Sequence, residues 1–96
     1  MKPVRWHEVA IEEAERAAEY YRSQSEGLDE RFSAAVAAAV ALLQSYPAIG
    51  RRIYGDYRRV IVHRFPYSVV YREDGRFLRV VAVVNHYLDP VNWIGR

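Results

Sequence analysis

Residues 67–85 read Tyr67-Ser68-Val69-Val70-Tyr71-Arg72-Glu73-Asp74-Gly75-Arg76-Phe77-Leu78-Arg79-Val80-Val81-Ala82-Val83-Val84-Asn85. Two runs rich in Val, Tyr and Phe flank Asp74-Gly75, a dipeptide that tolerates positive φ and so marks a tight β-hairpin. Centring the turn on it sets Tyr71 opposite Leu78, Val69 opposite Val80 and Tyr67 opposite Ala82. These six side chains share one apolar face, because successive residues of a strand point to opposite sides. The other face then carries Arg72 with Phe77, Val70 with Arg79, and Ser68 with Val81. A slip by one residue would invert both faces, so the apolar pattern specifies the register.

Working outward, Arg58–His63 reads as a further strand, and Val4–Trp6 as a short first one. Two helices are predicted between them, over Glu8–Arg22 and Leu28–Tyr46. In the first, Ile11, Ala14, Ala18 and Tyr21 recur at spacings of three and four and define a face. Glu12, Glu13, Glu15 and Glu19 cover the other side. In the second, Phe32, Val36, Ala39, Leu43 and Tyr46 form the apolar stripe. Ala34, Ala35, Ala37, Ala38 and Ala41 between them allow a helix to approach closely, and Pro47 and Gly50 end the element. The short link predicts an antiparallel helical hairpin. The expected fold is α+β, in the order β-α-α-β-β-β, with the hairpin packed on a small, mostly antiparallel sheet. The 96 residues are expected to form one domain, 1–96.

The chain has no cysteine, which excludes a disulfide framework, a thiolate metal site and a cysteine nucleophile. The net charge of +2 hides an asymmetry: up to Tyr46 there are five basic and eight acidic residues, and from Pro47 onward nine basic and four acidic. Thirteen of the fourteen basic residues are Arg, whose planar fork suits phosphate and carboxylate. This describes either acidic helices beside a solvated basic sheet or a basic face for an anionic partner. His7, His63 and His86 have no metal-ligand spacing, and no metal or cofactor is expected. The N-terminus has no apolar h-region, and no apolar run reaches the roughly 18 residues of a membrane span. The protein is therefore expected to be soluble, bacterial and cytoplasmic, with no membrane contact.

The run Arg64-Phe65-Pro66-Tyr67-Ser68-Val69-Val70-Tyr71 resembles the Phe-Pro-Tyr-x-Ile-x-Tyr region of the RelE/ParE toxin superfamily. Leu42-Leu43 with Pro47 and Gly50, the strand Val80–Val84, and the tail Asp89-Pro90-Val91-Asn92-Trp93 agree with it in order. The resemblance implies the toxin half of a type II toxin–antitoxin module, forming a hetero-oligomer with a cognate antitoxin. One branch, ParE-like, poisons DNA gyrase; the other, RelE-like, is a metal-independent endoribonuclease that cuts mRNA on the ribosome. Ser68 stands where the nuclease branch carries Arg, and Asn85 and Leu88 replace a His and an Arg of its tail motif, so the ParE-like branch is favoured. If the chain is a nuclease, the resemblance makes His86, Tyr87 and Arg64 its catalytic residues. Arg58, Arg59, Arg64, Arg72 and Arg79 are the expected contacts to the target or to acidic residues of the antitoxin. A degenerate, non-toxic member that only binds its antitoxin is the remaining alternative.

Overall fold

The computed structural model describes residues 1–87 and 91–96; Leu88, Asp89 and Pro90, on which part of the resemblance rests, lie outside the described residues. The elements are β1 (Val4–Trp6), α1 (Glu8–Gln24), α2 (Leu28–Ser45), β2 (Arg51–Tyr54), β3 (Tyr57–Ile61), β4 (Tyr67–Asp74) and β5 (Phe77–Asn85). The strands form one sheet in the order β1-β5-β4-β3-β2. β1 runs parallel to β5, and the other pairs are antiparallel. α1 packs on α2 and on β5, so the helical hairpin covers one face of the sheet.

The expected architecture holds, with one strand more than the expected order. β2 is a short edge strand whose Arg51-Arg52 start gives no apolar alternation. Gly55-Asp56 forms the two-residue link to β3, which sets Arg51 opposite Arg59 and Arg52 opposite Arg58.

The β4–β5 hairpin corrects the expected register. Asp74 pairs with Phe77, so the turn is Gly75-Arg76 and Tyr71 faces Val80 instead of Leu78. Only Gly75 has positive φ, at 67°, as in turns that place glycine at the first central position. This shift of two residues preserves the faces, and Tyr67, Val69, Tyr71, Leu78 and Val80 still point to the helices. A bulge then intervenes, because Tyr71 pairs with Val80 but Val70 pairs with Ala82. Val81 is the extra residue. Beyond it the alternation on β5 inverts: Ala82 lies on the far face and Val83 joins the helix-side core.

The helix-side core is built on Phe32, Val36, Ala39 and Leu43 of α2 and on Ala10 and Ala17 of α1. Phe32 sits among Tyr21, Phe65 and Tyr67 with ring centroids 5.1–5.2 Å away. Two expected core positions are exposed. Ile11 lies at the outer margin of the α1 face, whose other expected members Ala14, Ala18 and Tyr21 pack on the core beside the buried Ala10 and Ala17. Tyr46 falls past the end of α2 and points outward.

The far face is also covered. Tyr57, Val70, Val81, Ala82 and Trp93 form a second buried cluster, with Trp93 5.0 Å from the Tyr57 ring. Trp93 thus packs the tail onto the sheet. The tail is fastened further by Gly95 N–H donating to the Tyr57 hydroxyl at 2.9 Å. Arg96 bonds to the Val81 carbonyl at 3.0 Å and to Glu13 at 3.1 Å.

Candidate functional site

On the far face, the end of β5 and the tail border a pocket of about 380 Å³ lined by Tyr54, Arg59, Val70, His86, Trp93 and Ile94, among others. Arg59 reaches it because it follows Tyr57 by two residues and so shares its face. His86 reaches it because it immediately follows β5, its backbone N–H held by the Pro66 carbonyl at 2.8 Å. Its Nε2 lies 2.6 Å from Oγ of Ser68, a fully buried serine on β4. His86 is exposed as a residue, and this ring nitrogen is engaged by the buried serine. Burial pushes the imidazole pKa below its ordinary value, the positive charge of Arg59 pushes it the same way, and a hydrogen bond to the Tyr67 backbone opposes both. The pocket thus presents a neutral imidazole and a guanidinium beside apolar walls.

The sign of the pH dependence follows. The unfolded chain binds the His86 proton more readily than the folded chain. The stability gained by keeping His86 neutral is therefore present above about pH 6.5 and lost as pH falls through the lower folded value. Replacing Arg59 by Gln removes one lowering cause, so His86 is expected to titrate at higher pH, read by its ring-proton NMR shifts. An unchanged midpoint would show that Arg59 does not act on it.

Arg59 and His86 are the expected site residues that the fold brings together here. Arg72 and Arg79 also meet, directly opposite each other on the face away from the helices, as the face assignment requires. They do not form a free basic platform. Arg79 donates to Asp74 from Nε at 3.1 Å, and Arg72 lies 3.7 Å from the same carboxylate oxygen. The Arg72 Nε bonds the Arg96 carbonyl at 3.1 Å, so this pair secures the tail. Arg58 is turned to the end of α2, donating to the carbonyls of Ala48 (3.2 Å) and Gly50 (2.8 Å). Arg64 occupies the β3–β4 turn at φ 70° and bonds His63 Nε2 at 3.2 Å. Tyr87 is 83% exposed, and its N–H is taken by the Asn85 side chain at 2.9 Å. The basic residues of the second half are therefore dispersed over several surfaces.

Two contributors were not foreseen in the sequence. Ser68 reads there as a missing arginine, whereas its hydroxyl holds His86. Tyr54 is missed because β2 is missed; Gly55-Asp56 between two tyrosines is the signal that would have found it.

Residues 4–88 match the family model described as ParE toxin of type II toxin-antitoxin system, parDE. The chain belongs to the ParE toxin family. Its fold is that of a chain in a solved structure titled "Chromosomal ParDE TA system from P. aeruginosa", with TM-score 0.72, 19% identity, and coverage of 88% of this chain and 96% of that one. No curated protein sequence matches it. The expected superfamily and the ParE-like branch are thereby established, and the protein is a type II toxin, the class whose partner is an antitoxin. Among the described residues, no helix of this ParE-family toxin is long and apolar enough to cross a membrane.

Proposed function

We propose that this toxin arrests bacterial growth by binding DNA gyrase, not by cutting RNA, and that its cognate antitoxin relieves the arrest. The observation that carries this reading is the state of the far sheet face, where ribonuclease chemistry would have to sit. The tail fills it with Trp93, Asp74 pairs with both Arg72 and Arg79, and Arg64 and Tyr87 stand on a turn and beyond a strand end. Phosphoryl chemistry on RNA needs an acid, a base and cations converging on one phosphate; here one imidazole and one guanidinium share the pocket. A binding protein needs no such convergence.

The test is induced expression in a bacterial host, with and without the antitoxin of the module. Growth arrest, relaxed plasmid DNA and intact mRNA are expected without the antitoxin, and normal growth with it. Discrete mRNA cleavage with normal supercoiling would overturn the reading. His86 beside Arg59 supports a second reading, as a ribosome-dependent nuclease. It predicts that cleavage in a translating extract is abolished by His86→Ala and by Arg59→Ala.

A further inference from the structure

Arg58, Arg64, Arg72, Arg79 and Arg96 each bond to a side chain or a carbonyl of the chain itself. Arg51 and Arg59 do not: neither makes a hydrogen bond or an ion pair among the described residues. They oppose each other on one rung of the β2–β3 ladder. The row continues through Val70 to Ala82, both buried on the far face. The two arginines therefore belong to that face, in a row without a carboxylate. Like charges placed directly opposite destabilise a sheet. Protection of an edge strand asks for charge on the strand, not for two like charges face to face.

The neighbouring rung on the same face is aromatic. Tyr54 pairs with Tyr57, their ring centroids 6.4 Å apart. Tyr57 is buried under Trp93, but Tyr54 is 56% exposed. An open tyrosine thus stands next to two guanidinium groups that lack a counter-charge. A lone carboxylate would satisfy the charges and leave the ring unused. A phosphodiester chain satisfies both, since its oxygens match the planar forks of arginine and its sugars and bases pack on an aromatic ring.

We infer that Arg51 and Arg59 clamp the phosphodiester backbone of DNA, with Tyr54 packing on the adjoining nucleotide, so that the toxin recognises gyrase with DNA bound in preference to gyrase alone. This rests on the reading of the chain as a gyrase-binding toxin and adds the DNA itself as a contact. A backbone contact carries no sequence information, so the clamp serves wherever gyrase holds DNA. Each phosphate neutralised releases counterions, which makes the contact weaken as salt is added.

The test is fluorescence anisotropy of the labelled toxin, titrated with purified DNA gyrase alone and with gyrase preloaded with duplex DNA, over a range of salt concentrations. Arg51→Gln and Arg59→Gln are compared with wild type, and Arg76→Gln, an equal change of charge at an exposed position of the β4–β5 turn, is the control. Wild type is expected to bind the loaded enzyme more tightly. Each rung variant should lose about 10- to 100-fold in affinity for loaded gyrase, lower the salt slope by roughly one, and bind DNA-free gyrase as wild type does. Melting temperatures should hold or rise, because each change relieves the like-charge rung, and the control should bind as wild type does. Wild-type binding no tighter to loaded than to free gyrase, or rung variants that keep full affinity for the loaded enzyme, would overturn the clamp and leave the gyrase reading standing. Rung variants that lose as much affinity for DNA-free gyrase would assign the arginines to an acidic protein surface and overturn the clamp as well. Failure of wild type to bind either form would overturn both readings.

Discussion

Replacing Glu13 by alanine is expected to destabilise the protein by roughly 3 kcal/mol, the largest effect among the glutamates of α1. β1 pairs with β5 only over Leu78–Val80, so the edge of β5 beyond it has no strand partner. Side chains take that role. The Glu13 carboxylate accepts the Val83 N–H at 3.1 Å, and Arg96 donates to the Val81 carbonyl while pairing with the same carboxylate oxygen. Both side chains are nearly buried, at 13% and 12% exposure. Truncating Glu13 leaves a shielded guanidinium without its counter-charge and a backbone donor without an acceptor, and both losses act in the same direction. Urea unfolding measures the effect. Glu12→Ala, one position away and exposed, is expected to stay within about 0.5 kcal/mol of wild type. The double change Glu13→Ala with Arg96→Ala should cost less than the sum of the two. Equal stabilities for Glu12→Ala and Glu13→Ala would show that the edge is not held this way.

Gly50→Ala is expected to cost a similar amount, about 3 kcal/mol, for a steric reason. A Cβ at residue 50 would lie 2.5 Å from the Tyr71 hydroxyl, 2.7 Å from its ring carbon Cε1 and 2.9 Å from the Arg59 carbonyl. Tyr71 cannot yield cheaply. It is fully buried, its hydroxyl donates to the Pro47 carbonyl at 2.7 Å, and the same oxygen accepts the Gly50 N–H at 2.9 Å. The added methyl would expel the tyrosine or break both bonds, and would disturb the loop that Arg58 also holds. Removing the hydroxyl takes away the nearest obstacle, so Gly50→Ala in a Tyr71→Phe background should cost less than in wild type. Thermal unfolding reads the effect as a fall in Tm of roughly 12–20 °C. A Tm within a degree or two of wild type would mean that the α2–β2 loop moves freely.

How much of this was legible in the sequence depended on contrast between neighbouring residues. α2 was placed almost to the residue, because Phe32, Val36 and Leu43 stand out among alanines. On α1 the expected face holds at Ala14, Ala18 and Tyr21, but Ala10 and Ala17 do not stand out from their alanine neighbours in a periodicity, and the larger Ile11 draws the reading outward. The faces of β4 survived an incorrect turn position, because an error of two residues keeps the parity of a strand. The bulge at Val81 was hidden: residues 80–84 are all apolar, so an inverted alternation leaves no trace in composition. Glu13 was indistinguishable from the glutamates beside it until the sheet edge it serves was visible. At the site, Arg59 and His86 were legible as candidates from the resemblance. Their meeting with Ser68 required the actual pairing of β4 with β5. Arg72 and Arg79 were correctly placed on one face, but Asp74 between them, which removes them from a free basic surface, follows from distances alone.

Across the molecule, polar side chains are committed to holding structure: Glu13 and Arg96 at the β5 edge, Arg58 at the end of α2, and Asp74 between two arginines. Among the described residues, the surfaces that remain to meet other molecules include Arg51 and Arg59, the pocket around His86 and the charge-free side of α2. Such a surface suits recognition more than bond cleavage, and the gyrase reading rests on that difference. The most direct test is a supercoiling assay with purified DNA gyrase, relaxed plasmid and the purified toxin, run beside a translating extract in which mRNA integrity is followed. Inhibited supercoiling that the antitoxin restores, with mRNA left intact, is the predicted result; undisturbed supercoiling together with cleaved mRNA would contradict it.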